Sequence, residues 1–314
     1  MNLEQLKGFV TVAELGHFTR ASERLHLAQP SLSRQISTLE QELGAELFHR
    51  ARGNISLTAA GETLLPRARR MLADADAIRT EMAELAGLQR GRVRLGAAPT
   101  LCISLVPEVL RTFRVAHPGI EIQLVEGGTN LLIEQLATGN VDMALITLSE
   151  RSPVMGPVLV TEPLISEDLV VVSSADVPPV AEREVSLTDL ADLPFIALAE
   201  SYDLRVVTDA AFRAAGLSPQ VVVEGGEMDA VLRFAERGIG VAVVPATVLV
   251  DRPALRAVRL IDPVLTRTIG IAHRSDVTPT VAARAMRGVV LSTAAELAAR
   301  APETLHPAVG VPTI

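Results

Sequence analysis

Leu64, Ala68, Met71, Ala75, Ile78, Met82 and Leu85 recur at spacings of 4, 3, 4, 3, 4 and 3, an unbroken heptad stripe. Arg67, Arg69, Arg70, Asp74, Asp76, Arg79, Glu81 and Glu84 fill other positions, so the stripe predicts a long helix that pairs with another helix. An amphipathic helix lying on its own domain has the same spacing and stays open as an alternative. Ala68 and Ala75 thin the seam, and Pro66 removes the helical bond to Glu62, which should kink the first turns. Gly87 to Gly91 ends the rod as a hinge. The 314 residues therefore fall into a part before the rod and a part after it.

Composition narrows both parts. Apolar residues make up 48% and charged residues 21%, which supports a soluble globular chain and excludes a mainly disordered one. The single cysteine, Cys102, excludes an intrachain disulfide and a Cys/His zinc site. The opening MNLEQLKGF lacks a basic stretch followed by an apolar one, and the longest apolar run, 239–250, is interrupted by Pro245. That run falls short of the ~20 residues a membrane span needs. The expectation is a cytoplasmic protein with no membrane partner. The net charge of -8 would argue against nucleic acid if it were spread evenly, but residues 1–90 carry 11 basic and 11 acidic residues. The whole acidic excess lies beyond them. Because Lys7 is the only lysine, an arginine at any one place says little by itself about bidentate recognition.

In the first 58 residues, Leu3, Leu6, Phe9, Val10 and Ala13 predict an amphipathic helix ending near Gly16. A second helix runs from Thr19 to a turn at His26–Gln29, and a third starts with Pro30 in its first turn and closes at Gly44. Leu32, Ile36, Leu39 and Leu43 form the buried stripe of the third helix; Pro30, Ser33, Arg34, Ser37 and Gln41 point the other way. Small side chains there would let the backbone approach a DNA major groove, with Arg34 as the base or phosphate reader. Two helices and a short turn also fit a solvated helix in a small bundle. Residues 46–50 and 55–58 flank Ala51-Arg52-Gly53-Asn54 as a hairpin, a wing with Arg50 and Arg52 near its tip that could neutralise phosphates.

The run FTRASERLHLAQPSLSRQISTLEQELGAELFHRARGNISLTAAG resembles, over its whole length, the winged helix-turn-helix of LysR-type transcriptional regulators. Ala21, Gln29, Pro30, Ser33, Ile36, Leu39, Glu40, Gly44, Leu47, Phe48, Arg50, Leu57, Thr58 and Gly61 carry the resemblance. It implies that Gln29, Pro30, Ser33 and Arg34, with Ser37 on the same face, contact the major groove, and that Arg50 and Arg52 are wing contacts. With Leu64, Ala68, Met71, Ala75, Ile78, Met82 and Leu85 as the dimer seam, two recognition helices would face an interrupted palindrome in double-stranded DNA. The resemblance further implies a homodimer assembling to a homotetramer that bends DNA, with RNA polymerase a candidate further partner.

Beyond the hinge, short apolar strands alternate with helices, which implies parallel strands covered by helices and an α/β fold. Residues 124–146, LVEGGTNLLIEQLATGNVDMALI, resemble 222–244, VVEGGEMDAVLRFAERGIGVAVV, suggesting two similar lobes. The glycines of such turns allow close backbone approach, and the helix starts expose N–H groups that favour a polar or anionic ligand, although tight strand-to-helix turns alone would look alike. The stretch is also similar to the family's effector domain, which has the fold of periplasmic substrate-binding proteins. The resemblance implies crossings near 165–168 and 265–268 and a small-molecule effector in the cleft between. Pro99, Thr100, Leu101, Thr129 and Thr147 would line one wall; Ala199, Glu200, Tyr202, Gly226 and Glu227 the other. The resulting domains are 1–58, a winged helix-turn-helix; 59–90, a linker helix; and 91–300, an effector domain with lobe I at 91–164 and 269–300 and lobe II at 165–268. An irregular tail is expected over 301–314. No nucleophile elbow, His-Glu-x-x-His, Walker loop or dinucleotide fingerprint stands at a strand-to-helix junction, so no catalytic residue, metal or cofactor is expected. A lone cysteine in Leu-Cys-Ile reads as a small buried hydrophobe, and a thiol-disulfide switch lacks its second cysteine.

Overall fold

The structure is a computed structural model that describes residues 1–51, 54–85, 91–148, 158–176, 183–200 and 202–308. The chain divides into two compact units, Met1–Gly91 with Glu134–Val141, and Arg92–Ile133 with Asp142–Ile314.

The first unit begins with three helices, α1 (Leu3–Leu15), α2 (Phe18–Leu25) and α3 (Gln29–Leu43). Asn2 starts α1 with a capping box: its side chain accepts from the Gln5 N–H, and the Gln5 side chain accepts from the Asn2 N–H. Gly16 and Gly44 end α1 and α3 in the left-handed conformation, at φ 66° and 67°, where a side chain would be strained. The buried faces meet in one core of Leu6, Phe9, Val12, Ala21, Leu32, Ile36 and Leu39. Two strands follow, β1 (Phe48–Ala51) and β2 (Asn54–Leu57), paired antiparallel from Phe48↔Leu57 to Ala51↔Asn54. Phe48 anchors the hairpin, with its ring centroid 5.3 Å from that of Phe9 and 6.0 Å from that of Phe18. Helix α4 (Ala59–Leu85) then runs for 27 residues with Pro66 inside it.

The heptad positions on α4 divide into two groups. Ala68 is fully buried in the unit's own core and Leu64 packs against it, so these two do not stand ready for a partner helix. Met71, Ile78 and Met82 are exposed, and Ala75 is half-buried. The Leu85 side chain and residues 86–90 lie outside the described residues.

After α4 the chain forms β3 (Gly91–Ala97), α5 (Pro99–Cys102), α6 (Leu105–Ala116), β4 (Ile120–Glu126), α7 (Thr129–Ala137), β5 (Met143–Leu148) and β6 (Leu159–Ser174). It continues with β7 (Glu184–Ser186), α8 (Leu187–Ala191), β8 (Pro194–Leu198), α9 (Asp203–Ala214), β9 (Gln220–Gly226), α10 (Met228–Glu236) and β10 (Ala242–Pro245). A 3-10 turn at Ala246–Leu249 leads to β11 (Leu255–Ile261), β12 (Thr266–Arg274), α11 (Val281–Arg300) and β13 (Leu305–Pro307). The main sheet runs β4-β3-β5-β12-β6-β11-β7. Strand β6 belongs to both ends of it: up to Asp168 it pairs with β12, and from Leu169 on with β10 and β11. The neighbouring return lies just before β12, where the Leu169 N–H donates to the Leu265 carbonyl at 2.8 Å. Each side of this crossing has its own core, one around Leu95, Val109, Phe113, Ile271 and Met286, the other around Val171, Phe195, Phe212, Leu232 and Val244. The repeated segments form β4-α7-β5 in the first lobe and β9-α10-β10 in the second.

The tail corrects an expectation. Rather than being irregular from residue 301, the chain forms β13, which pairs antiparallel with β6 from Leu305↔Glu167 to Pro307↔Ile165. Leu305 is 2% exposed in the first lobe's core, so apolar burial and three ladder positions offset the cost of ordering it. Residues 309–314 lie outside the described residues.

Candidate functional site

Helix α3 carries the residues expected to read DNA in its N-terminal part. Leu32, Ile36 and Leu39 are buried; Gln29, Pro30 and Arg34 are exposed, and Ser33 and Ser37 are half-buried on the same side. Pro30 fits the first turn because its missing N–H would have no helical partner there. Thr19 Oγ1 lies 3.4 Å from Gln29 Oε1, linking α2 to the start of α3. The Arg34 carbonyl accepts from Thr38 Oγ1, and among the described residues its guanidinium takes no partner. A short-side-chain face with one free cation can enter a groove and meet a phosphate or a base edge. In the wing, Arg50 pairs with Ile55 in the strand register. The Arg50 side chain and all of Arg52 lie outside the described residues. Gly61 ties the wing to α4: a Cβ there would lie 2.3 Å from the Leu47 carbonyl oxygen, too close for any side chain.

In the second unit a cavity of about 190 Å³ opens between the lobes. Pro99, Thr100, Thr129 and Thr147 line it from the first lobe, and Tyr202 and Glu227 from the second. Thr129 and Glu227 come from matching places in the internal repeat, one opening α7 and the other preceding α10. Thr100 is 3% exposed, and among the described residues its hydroxyl has no hydrogen-bond partner. The Tyr202 hydroxyl donates to Glu227 Oε2 and accepts from the Met228 N–H at 3.3 Å. Burial, with the adjoining Glu227 carboxylate, pushes the phenol's pKa up, so it stays a neutral donor at physiological pH. Of the other anticipated residues, Leu101 turns into the first lobe's core. Ala199 donates its N–H to the Gly226 carbonyl at 3.2 Å, joining the ends of β8 and β9, and Glu200 is exposed. None of Leu101, Ala199, Glu200 and Gly226 lines the cavity.

Asp203, Leu204 and Arg267 line it without having been singled out from the sequence. Thr129 Oγ1 donates to Asp203 Oδ2 at 3.3 Å, a bond from one lobe to the other. Arg267 on β12 donates through Nε to Glu167 Oε1 at 2.7 Å. Its Nη2 lies equally near that oxygen in the ion pair but makes no hydrogen bond among the described residues. Glu167 is fully buried, and its second oxygen accepts the Thr247 N–H at 2.9 Å. A signal was available: Arg267 is the only cation in the crossing segment 265–268, and a cation in a buried strand calls for an acid on the strand beside it. Cys102, close by, lies 3.8 Å from the Ala97 carbonyl, and its pKa is pushed up to about 12 by burial and then by Glu126. It remains a thiol, a poor nucleophile.

Residues 3–62 match the family model for the bacterial regulatory helix-turn-helix protein, lysR family, and residues 86–295 match that for the LysR substrate binding domain. The chain is 32% identical over 286 residues to the HTH-type transcriptional regulator IlvR of Caulobacter vibrioides, covering 90% of this chain and 95% of that protein. It is also 32% identical over 273 residues to the HTH-type transcriptional regulator YybE of Bacillus subtilis, covering 87% and 92%. Among solved structures, a full-length cysteine variant of OxyR from Pseudomonas aeruginosa superposes with a TM-score of 0.67 at 28% identity, covering 94% of each chain. No helix among the described residues is long and apolar enough to cross a membrane.

Proposed function

The chain belongs to the LysR family of DNA-binding transcriptional regulators with an effector-binding domain, and from that premise we propose that a small molecule held between its lobes changes how its α3 helices engage promoter DNA. Gln29, Pro30, Ser33, Arg34 and Ser37 read the major groove, and Arg50 and Arg52 of the wing contact phosphate or the minor groove. Met71, Ile78 and Met82 support a dimer, since an exposed apolar stripe at heptad spacing on a long helix favours pairing. The dimer matches an interrupted palindrome, assembles to a tetramer, and bends the DNA it holds. RNA polymerase is the further contact through which bending reaches transcription. The protein acts in the cytoplasm and catalyses no reaction.

The observation that carries this reading is the cavity lined from both lobes, with a buried threonine hydroxyl that no described residue satisfies. Effector acts only through a difference in affinity between two arrangements of the lobes, so groups on both walls must touch it. The test is a gel-shift titration of the protein on its own upstream region, with and without metabolite extract. Extract should change affinity or mobility for wild type and leave Thr100→Val unresponsive, with effector-free DNA affinity as the fold control. Equal, salt-erased binding to upstream and random duplex, with or without extract, would refute it.

A further inference from the structure

The cavity's charges point to its ligand class, an inference that rests on the effector reading above. Asp203 and Glu227 line the cavity, and each accepts from a neutral hydroxyl, Thr129 and Tyr202 respectively. Among the described residues neither has a cation within ion-pair distance. The one cation among the described lining residues, Arg267, is already neutralised by Glu167. Among the described residues an anionic ligand would therefore meet two carboxylates and no free positive charge, an arrangement of like charges that selects against it. The opposite need appears deeper in. Thr100 Oγ1 and Arg267 Nη2 are both buried and both belong to residues lining the cavity; among the described residues neither makes a hydrogen bond, although Nη2 keeps its ionic contact with Glu167. The guanidinium N–H can only donate and the hydroxyl can donate too, so an oxygen acceptor suits both, and a buried donor left unsatisfied is costly.

We propose that the effector is a small amino acid or close analogue, with its protonated amine against Asp203 and Glu227 and its carboxylate or carbonyl oxygen against Thr100 and Arg267. The size agrees: about 190 Å³ has room for a short amino acid.

The test uses the full chain and Tyr202, its only tyrosine in a chain without tryptophan, as an intrinsic fluorescence probe seated in the cavity. Three probe sets are titrated in parallel: small L-amino acids, the same skeletons lacking the amine, and the same skeletons lacking the carboxylate. Amino acids are expected to bind about tenfold or more tighter than either truncated set, with Asp203→Asn and Glu227→Gln each removing about tenfold of that affinity. Both substituted residues are exposed, and the wild-type comparison stands even if a variant folds poorly. Amine-free acids binding as tightly as amino acids would overturn the ligand class; if Thr100→Val then abolished their binding, the effector reading would survive. Silence from all three sets at millimolar concentration would also overturn the class. A Tyr202 response to some other fraction of metabolite extract would still leave a working receptor.

Discussion

Glu167→Gln isolates the ion pair behind the cavity. The substitution keeps the side chain's length and an acceptor for the Thr247 N–H, so the main change is that Arg267 loses its counter-charge. At 2.7 Å and an effective dielectric of about 20, the attraction removed is about 6 kcal/mol before any relaxation. Breaking a buried pair from one side costs about 3–5 kcal/mol in practice. The lower end applies here, about 3 kcal/mol, because the Arg267 side chain is 11% exposed and lines the cavity, so water can reach it. For a unit of this size that is about 6–12 °C in melting temperature. Tyr202 fluorescence follows this transition separately from unfolding of the N-terminal unit, which contains no tyrosine or tryptophan. Protein concentration must be held fixed so that assembly does not mask the shift. The control is Glu167→Leu with Arg267→Met, which removes both charges and should recover much of the loss. A shift under about 2 °C for Glu167→Gln, or a double variant weaker than the single one, would refute the reasoning.

Arg34→Ala should weaken specific DNA binding by about 1–3 kcal/mol and relax preference at one base position; unchanged affinity and preference in competitive gel shifts would remove Arg34 from the readers. Gly61→Ala forces a Cβ to within 2.3 Å of the Leu47 oxygen, so the wing must shift, at about 1–3 kcal/mol to the N-terminal unit by circular dichroism and with loss of DNA affinity. Burial raises the Asp142 pKa above its ordinary 3.8, despite the N–H it accepts from Arg94 at 2.7 Å. The folded state then holds that proton more tightly than the unfolded one, so stability is full below the ordinary value and declines as pH rises through the raised one. Denaturation midpoints should show that decline in wild type, and Asp142→Asn should remove it.

Helix ends were legible because one residue sets each of them: Gly16 and Gly44 reach a left-handed conformation that other residues resist, and Pro30 suits only a first turn. The lobed organisation was legible because Glu-Gly-Gly occurs twice with matching strands and helices around it. What lay hidden depends on partners distant in the chain. Arg267 and Glu167 are 100 residues apart, and neither makes sense until β6 and β12 are laid side by side. Asp203 reads in sequence as an ordinary first-turn acid; only the bond from Thr129 brings it to the cavity. Three residues of β13 carry no periodicity, so their strand comes from an available edge on β6 and not from local preference. Heptad spacing on α4 suits a partner helix and the helix's own domain alike, because spacing does not say which neighbour fills a stripe; Leu64 and Ala68 serve their own domain.

The first lobe is built from two stretches separated by the whole of the second, and its closing pieces, β12, α11 and β13, are the last described parts of the chain. During synthesis the DNA-reading head and the second lobe can form while the first lobe still waits for its final strands. A premature stop near residue 265 would release a head able to occupy operators, joined to a body unable to hear metabolites. Such a fragment would antagonise its full-length siblings at their own promoters.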